Sequence, residues 1–156
     1  MSMTMYLLCL FFLTSLIGFL IYKVFYKKRL LYNDRFGMIM AMSCSGIISL
    51  NSSMLSQFII SDHLFFIMIL TVVMGGVVGI VFGSLVKYQS LLAGFLHGIV
   101  GSLTGNMLGI VVEDPSICSL PAPYFSMIDQ NILIFSAFGT LLVMITISIV
   151  YYSLRV

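Results

Sequence analysis

Charge is what this sequence has least of. Only 8% of its 156 residues are Asp, Glu, Lys or Arg, while 61% are apolar; soluble domains carry about 25% charged residues. So few charges exclude a water-facing surface over most of the chain, and lipid is the solvent that remains. The net charge of +2 is small, and its basic residues sit only beside hydrophobic segments. That excludes a nucleic-acid footprint. The three cysteines, Cys9, Cys44 and Cys118, have neither metal-motif spacing nor the density of a disulfide scaffold. Enzyme signatures are missing too: there is no nucleophile elbow, phosphate-binding glycine loop or zinc-protease motif. The expectation is a chain that is not an enzyme, with no catalytic residue and no cofactor.

Long apolar runs are what the sequence does have, with a mean hydropathy of +1.19. A crossing takes about 20 apolar residues. The runs predict an all-α integral membrane bundle, one transmembrane domain over residues 1–156. Its five spans fall at about 4–26, 36–60, 64–86, 89–112 and 131–152, with an outer loop at 113–130. The first run resembles a signal peptide in length, but its basic cluster follows the apolar stretch and no small-residue cleavage site comes after it. It is expected to be a retained helix.

Orientation follows from the basic residues. Lys23, Lys27, Lys28, Arg29 and Arg35 flank the first connection, Lys87 lies in the third and Arg155 near the C-terminus. With the N-terminus outside and the C-terminus cytoplasmic, all seven face the cytoplasm, as the positive-inside rule requires. Four spans would put Arg155 opposite the others. Tyr22, Tyr26, Tyr151 and Tyr152 suit an aromatic belt at that inner face. In the outer loop, Asp114 precedes Pro115, which ends the fourth helix, and Asp129 is placed to cap the fifth. The apolar residues between Leu120 and Met127 are expected at the outer interface or across the bundle mouth.

The three middle spans share a small-residue pattern: Gly46, Ser49 and Ser53; Gly76, Gly79 and Gly83; Gly98, Gly101 and Gly105. Each is a small residue with another at +3 and at +7. A decayed duplication and convergence on one packing solution both account for it. Helices in lipid associate by close backbone approach, which small residues permit. Gly94, Gly98, Gly101, Gly105 and Gly109 line one face of the fourth span, and Gly75, Gly79 and Gly83 offer a matching stripe on the third. A close antiparallel hairpin of these two spans is predicted. One stripe facing a second copy or a pore is the alternative.

The second span carries a different seam, Met38, Met42, Ser45, Ser49, Ser52 and Ser56, with Asn51, Ser53 and Gln57 beside it. Serine can bond its own helix backbone. The Asn51 and Gln57 amides need partners across helices, or water. His97 is the one imidazole inside a span, on the flank of the fourth span's glycine stripe with Thr104, while Asn106 faces away. An ionisable group at membrane depth is a functional candidate, although a neutral His bonded to a carbonyl is the plainer reading. No acidic residue falls inside a span, which weakens a proton-coupled mechanism. Met38 and Met42 are soft-metal candidates, since thioethers select ions such as Cu(I). Their Met-x3-Met spacing and the N-terminal Met1, Met3 and Met5 resemble copper-uptake transporters. Those have three spans, and here the pair lies near the cytoplasmic end. Methionine in a chain this apolar is chiefly a packing residue. Asp62, His63, Glu113 and Asp114 form a further, weaker divalent candidate at the outer side.

The stretch Gly37-Met38-Ile39-Met40-Ala41-Met42 and the glycine-striped third and fourth spans, over about residues 23–112, resemble small Gly- and Met-rich polytopic membrane proteins of Gram-positive bacteria with no assigned function. The resemblance implies a multi-pass protein of a bacterial plasma membrane and says nothing of mechanism. Two classes of function remain. The expected one is a non-catalytic membrane module, a structural, assembly or partner-binding subunit packed through its stripes. Its partners are the lipid bilayer and a second copy or another membrane protein. The other is a small channel or transporter for an ion or small solute, using the serine seam and His97, with copper handling as a variant. Seam residues and His97 gathered around a wet cavity would favour transport; burial against neighbouring helices would favour the module.

Overall fold

A computed structural model of the chain describes residues 3–28, 33–60, 64–114 and 128–153. These form five helices: α1 (Met3–Lys28), α2 (Asp34–Ile59), α3 (Leu64–Gly83), α4 (Tyr88–Glu113) and α5 (Ile128–Ser153). Each is long and apolar enough to cross a membrane. The apolar segment at 120–127, Asp62, His63 and Cys118 lie outside the described residues.

The helix ends follow local chemistry. α1 finishes on Lys27 and Lys28 and α2 starts on Asp34, charges that suit the negative and positive ends of a helix dipole. α3 stops at Gly83, earlier than the apolar run suggests. Val86 then donates its N–H back to the Gly83 carbonyl at 3.4 Å, and Lys87 is extended (φ −139°, ψ 171°) at the entry to α4. α5 starts earlier than expected, at Ile128. Asp129 is therefore a first-turn residue rather than the cap, where its carboxylate still meets the positive end of the dipole.

Two apolar clusters sit at opposite ends of the bundle. Ile21 and Phe25 of α1, Met40 and Cys44 of α2, Phe82 of α3 and Val150 of α5 make one. Leu7 of α1, Met54, Leu55 and Phe58 of α2, Val112 of α4 and Ile132 of α5 make the other. The membership fixes the alternating helix directions, with the C-terminal ends of α1, α3 and α5 beside the N-terminal end of α2. Lys87 joins Asp34 at that same end through a 2.6 Å ion pair. Both side chains are exposed, so the pair contributes roughly 0–1 kcal/mol. α2 belongs to both clusters and is the hub: 56% of its central stretch is buried, against 22% for α1 and 28% for α5. The outside is large and apolar, with Phe12, Leu16, Phe65, Phe66, Ile134 and Ile149 all exposed.

Between the clusters the bundle has a waist of small residues where backbones meet. Gly79 of α3 packs on Gly94 of α4, whose own Cβ would come within 2.6 Å of the Gly79 carbonyl, and Gly75 packs on Gly98. Gly83 meets Ser90 and Leu91, and a Cβ at Gly76 would stand 3.1 Å from the Phe95 ring. The remaining α4 glycines turn to α2: Gly101 against Gly46 and Ser49, Gly105 against Leu50 and Ser53, Gly109 against Gln57. One stripe thus serves two neighbours in turn along its length, with the earlier Gly94 and Gly98 against α3 and the later Gly101, Gly105 and Gly109 against α2.

α2 and α4 run parallel and in register. Asp34 pairs with Lys87, Ser90 donates to the Gly37 carbonyl, Ser53 abuts Gly105 and Gln57 abuts Gly109. The small-residue pattern at Gly46, Ser49 and Ser53 recurs in α4 at the same offset, so its two copies face each other in space.

Candidate functional site

α1 and α3 both lean on α2 without closing over it. The space between them is a groove of about 580 Å³ whose walls are α1 and α3 and whose floor is α2, with Ser102 of α4 behind. Along α3 it extends from Leu70 to Phe82, about 18 Å at 1.5 Å per residue. It opens sideways: Phe19 on one lip and Met74 and Val77 on the other are more than half exposed. In a bilayer such an opening faces lipid rather than water.

The walls are apolar and the floor carries hydroxyls. Ser49, Ser52, Ser53 and Ser56 all reach the groove. Three of them return to their own helix: Ser49 donates to the Gly46 carbonyl at 3.1 Å, Ser53 to Leu50 at 3.0 Å and Ser56 to Ser52 at 2.8 Å. Intrahelical bonding of this kind lets hydroxyls sit in an apolar medium at little cost. Ser102 differs. It is fully buried, it borders the groove, and its Oγ has no hydrogen-bond partner within the protein. Gly75 makes this possible, because a Cβ there would occupy the space of the Ser102 hydroxyl.

The candidate polar path is dispersed. Ser45 is buried and donates to the Gly94 carbonyl of α4 at 3.1 Å. Asn51 is buried against Gly139 of α5, with both amide atoms unpartnered. Gln57 is buried on the α4 side. Its amide lies near the Glu113 carboxyl, but no hydrogen bond of good geometry joins them. Ser52 and Ser56 are half-buried in the groove floor. His97 stands apart from all of these. Its backbone lies beside Gly46, its side chain is exposed on the outer face of α4, and Nδ1 lies 3.0 Å from the Ala93 carbonyl. Thr104 is exposed on the same face and bonds the Val100 and Gly101 carbonyls.

Met38 and Met42 are half-buried on α2, and Cys44 belongs to the apolar cluster. Among the described residues no three His, Cys, Asp or Glu side chains gather as a metal site would require.

One polar contact was not anticipated. Asn106 Nδ2 of α4 donates to Thr71 Oγ1 of α3 at 2.7 Å, and Thr71 donates in turn to the Ile67 carbonyl at 2.8 Å. Both residues are buried. The signal was the i+4 spacing of Gly98, Ser102 and Asn106, a second stripe beside the glycines.

A buried amide with no partner stabilises nothing by staying. Asn51→Ala removes two such atoms. It is expected to leave the melting temperature in detergent unchanged, or to raise stability by about 1 kcal/mol. A clear loss would reveal a partner for the amide.

In comparisons with protein-family models, with curated proteins and with solved structures, nothing matches this chain.

Proposed function

We propose that this chain is a non-catalytic integral membrane module that binds another membrane-embedded chain. It would lie in a plasma membrane with its Lys87 end toward the cytoplasm, where the basic residues belong. The observation that carries the reading is the division of the polar groups. Ser45, Ser49, Ser53 and Ser56 of α2 bond backbone carbonyls of α2 and α4, while His97 faces outward from α4. No common path joins them. Between α1 and α3 there is instead a lateral apolar groove, the kind of surface that receives a helix or chain from within the bilayer.

Transport through the serine seam is the competing reading, and liposomes separate the two. Purified protein in vesicles is expected to pass protons, potassium and sodium at the rate of protein-free vesicles. Flux above that background, abolished by Ser49→Val, would overturn the module reading.

A further inference from the structure

We propose that a second groove, between α1 and α5, holds an acyl chain of an anionic phospholipid whose phosphate sits at Lys27 and Lys28. The site lies on another side of α1 from the α3 groove. It stands whether or not the chain also binds a protein.

The register of α1 builds it. Ile17, Leu20, Ile21 and Val24 line one wall, and Ile147 stands on the other. Steps of three and four residues keep the α1 set on one helix face. Lys28 continues that face, one turn past Val24 and two past Ile21, and Lys27 stands two turns past Leu20. The groove, of about 450 Å³, therefore leads from an apolar wall to two ammonium groups. It is open along its side: Leu20 is exposed, and Ile17, Val24 and Ile147 are half-buried. Ser148, the hydroxyl in its lining, donates to the Met144 carbonyl at 2.8 Å, so an acyl chain lying there strands no hydroxyl.

Length and charge select the occupant. Ile17 to Val24 spans about 10 Å at 1.5 Å per residue, which falls within one half of a ~30 Å hydrocarbon core. Lys28 lies about 6 Å farther along α1, at headgroup depth. Tyr151 and Tyr152, both exposed, flank the groove at this end, as an interfacial belt requires. A partner helix would need a track through both halves of the bilayer, and this groove serves one leaflet. Its lysines call for an anion, and their stems can lie along apolar surface while the charge stays at the headgroups. Lys87 gives the contrast. It stands at the same end of the bundle, but Asp34 pairs with it at 2.6 Å and offsets its charge.

Fluorescence quenching tests this. The chain contains no tryptophan, so a single introduced one reports its own neighbours. Leu20→Trp in the groove and Leu96→Trp on α4 replace residues that are more than half exposed, at matching depth from the α1 and α4 ends, Lys28 and Tyr88. Each variant is placed in vesicles of mixed phosphatidylglycerol and phosphatidylcholine, with the chains of one lipid or the other brominated as the quencher. One lysine near an anionic surface is worth roughly fivefold in binding, so the two should favour phosphatidylglycerol at Leu20→Trp by at least about tenfold. Leu96→Trp should show no preference. K27Q/K28Q should erase the preference at Leu20→Trp, and K27R/K28R, which keeps the charge, should retain it. The proposal is overturned if both tryptophans show the same preference or if K27Q/K28Q leaves it unchanged. Absence of quenching by either lipid at Leu20→Trp would put protein in the groove and overturn it as well. Ion flux in vesicles would remove the module reading and leave this site standing.

Discussion

Gly101→Leu is expected to dismantle the bundle. A Cβ at this position already collides with the Gly46 carbonyl and the Ser49 hydroxyl, and the Gly46 carbonyl carbon follows at 3.2 Å. Backbone cannot rotate away as a side chain can, so α2 and α4 must separate along their whole parallel contact. Overpacking commonly costs about 1–3 kcal/mol, and a leucine against backbone belongs at or beyond the upper end. Thermal unfolding in detergent, followed by circular dichroism, should show Gly101→Leu and Gly98→Leu unfolded or melting far below the parent. Alanine scanning sharpens the test. Gly98→Ala and Gly105→Ala put a methyl into the Gly75 and Leu50 carbonyls and should destabilise. Gly46→Ala and Gly18→Ala meet nothing closer than 3.8 Å and 3.6 Å. They should be neutral or gain up to about 1 kcal/mol from helix propensity. Equal effects at all four alanine positions would mean that these helices do not pack by their backbones.

The contrast between those glycines also shows what a linear sequence conveys. Five helices were legible because five stretches are apolar over a bilayer's width, a property of composition alone. Their ends were less so, for a physical reason. Leu85 and Val86 continue the apolar run after α3 has stopped, because Val86 is needed against Gly37, where it fills the space of a missing side chain. Conversely, Asp129 and Gln130 are polar yet helical, so hydropathy starts α5 late. Spacing identifies which residues share a face but not who faces them. It places Gly94 and Gly105 on one stripe, while the packing assigns the first to α3 and the second to α2. The groove was not legible at all. It exists because α1 and α3, not adjacent in sequence, meet at one end, where Tyr22 and Phe25 pack edge-on against Phe82, and leave room between them along the rest of α2. Ser102 was visible as a small residue; its missing partner is a property of three dimensions.

Thr71→Val should cost about 1–3 kcal/mol, although it exchanges only a hydroxyl for a methyl. Thr71 Oγ1 accepts from Asn106 Nδ2 at 2.7 Å, and the Asn106 carbonyl oxygen is already unpartnered. With the hydroxyl gone, the whole amide is left without a bond inside a dry helix interface. An orphaned buried polar group carries its full desolvation penalty, about 1–3 kcal/mol. Removing the second partner should return part of that loss. Thr71→Val/Asn106→Ala is therefore expected to be less destabilised than the two single variants summed. The coupling should fall near the 0.6–1.7 kcal/mol range of hydrogen bonds between membrane helices (roughly, by double-mutant cycles). Additive losses would show that the bond contributes nothing and that Thr71 is held by its own carbonyl at Ile67. The pair also bears on the groove. Thr71 and Ser102 both line it, and Asn106 lies one helical turn beyond Ser102. Thr71 Oγ1 thus has partners as both acceptor and donor, whereas the Ser102 hydroxyl has none within the protein. Breaking the pair should therefore lower stability, whereas Ser102→Ala, which removes a hydroxyl without a partner, should leave it intact.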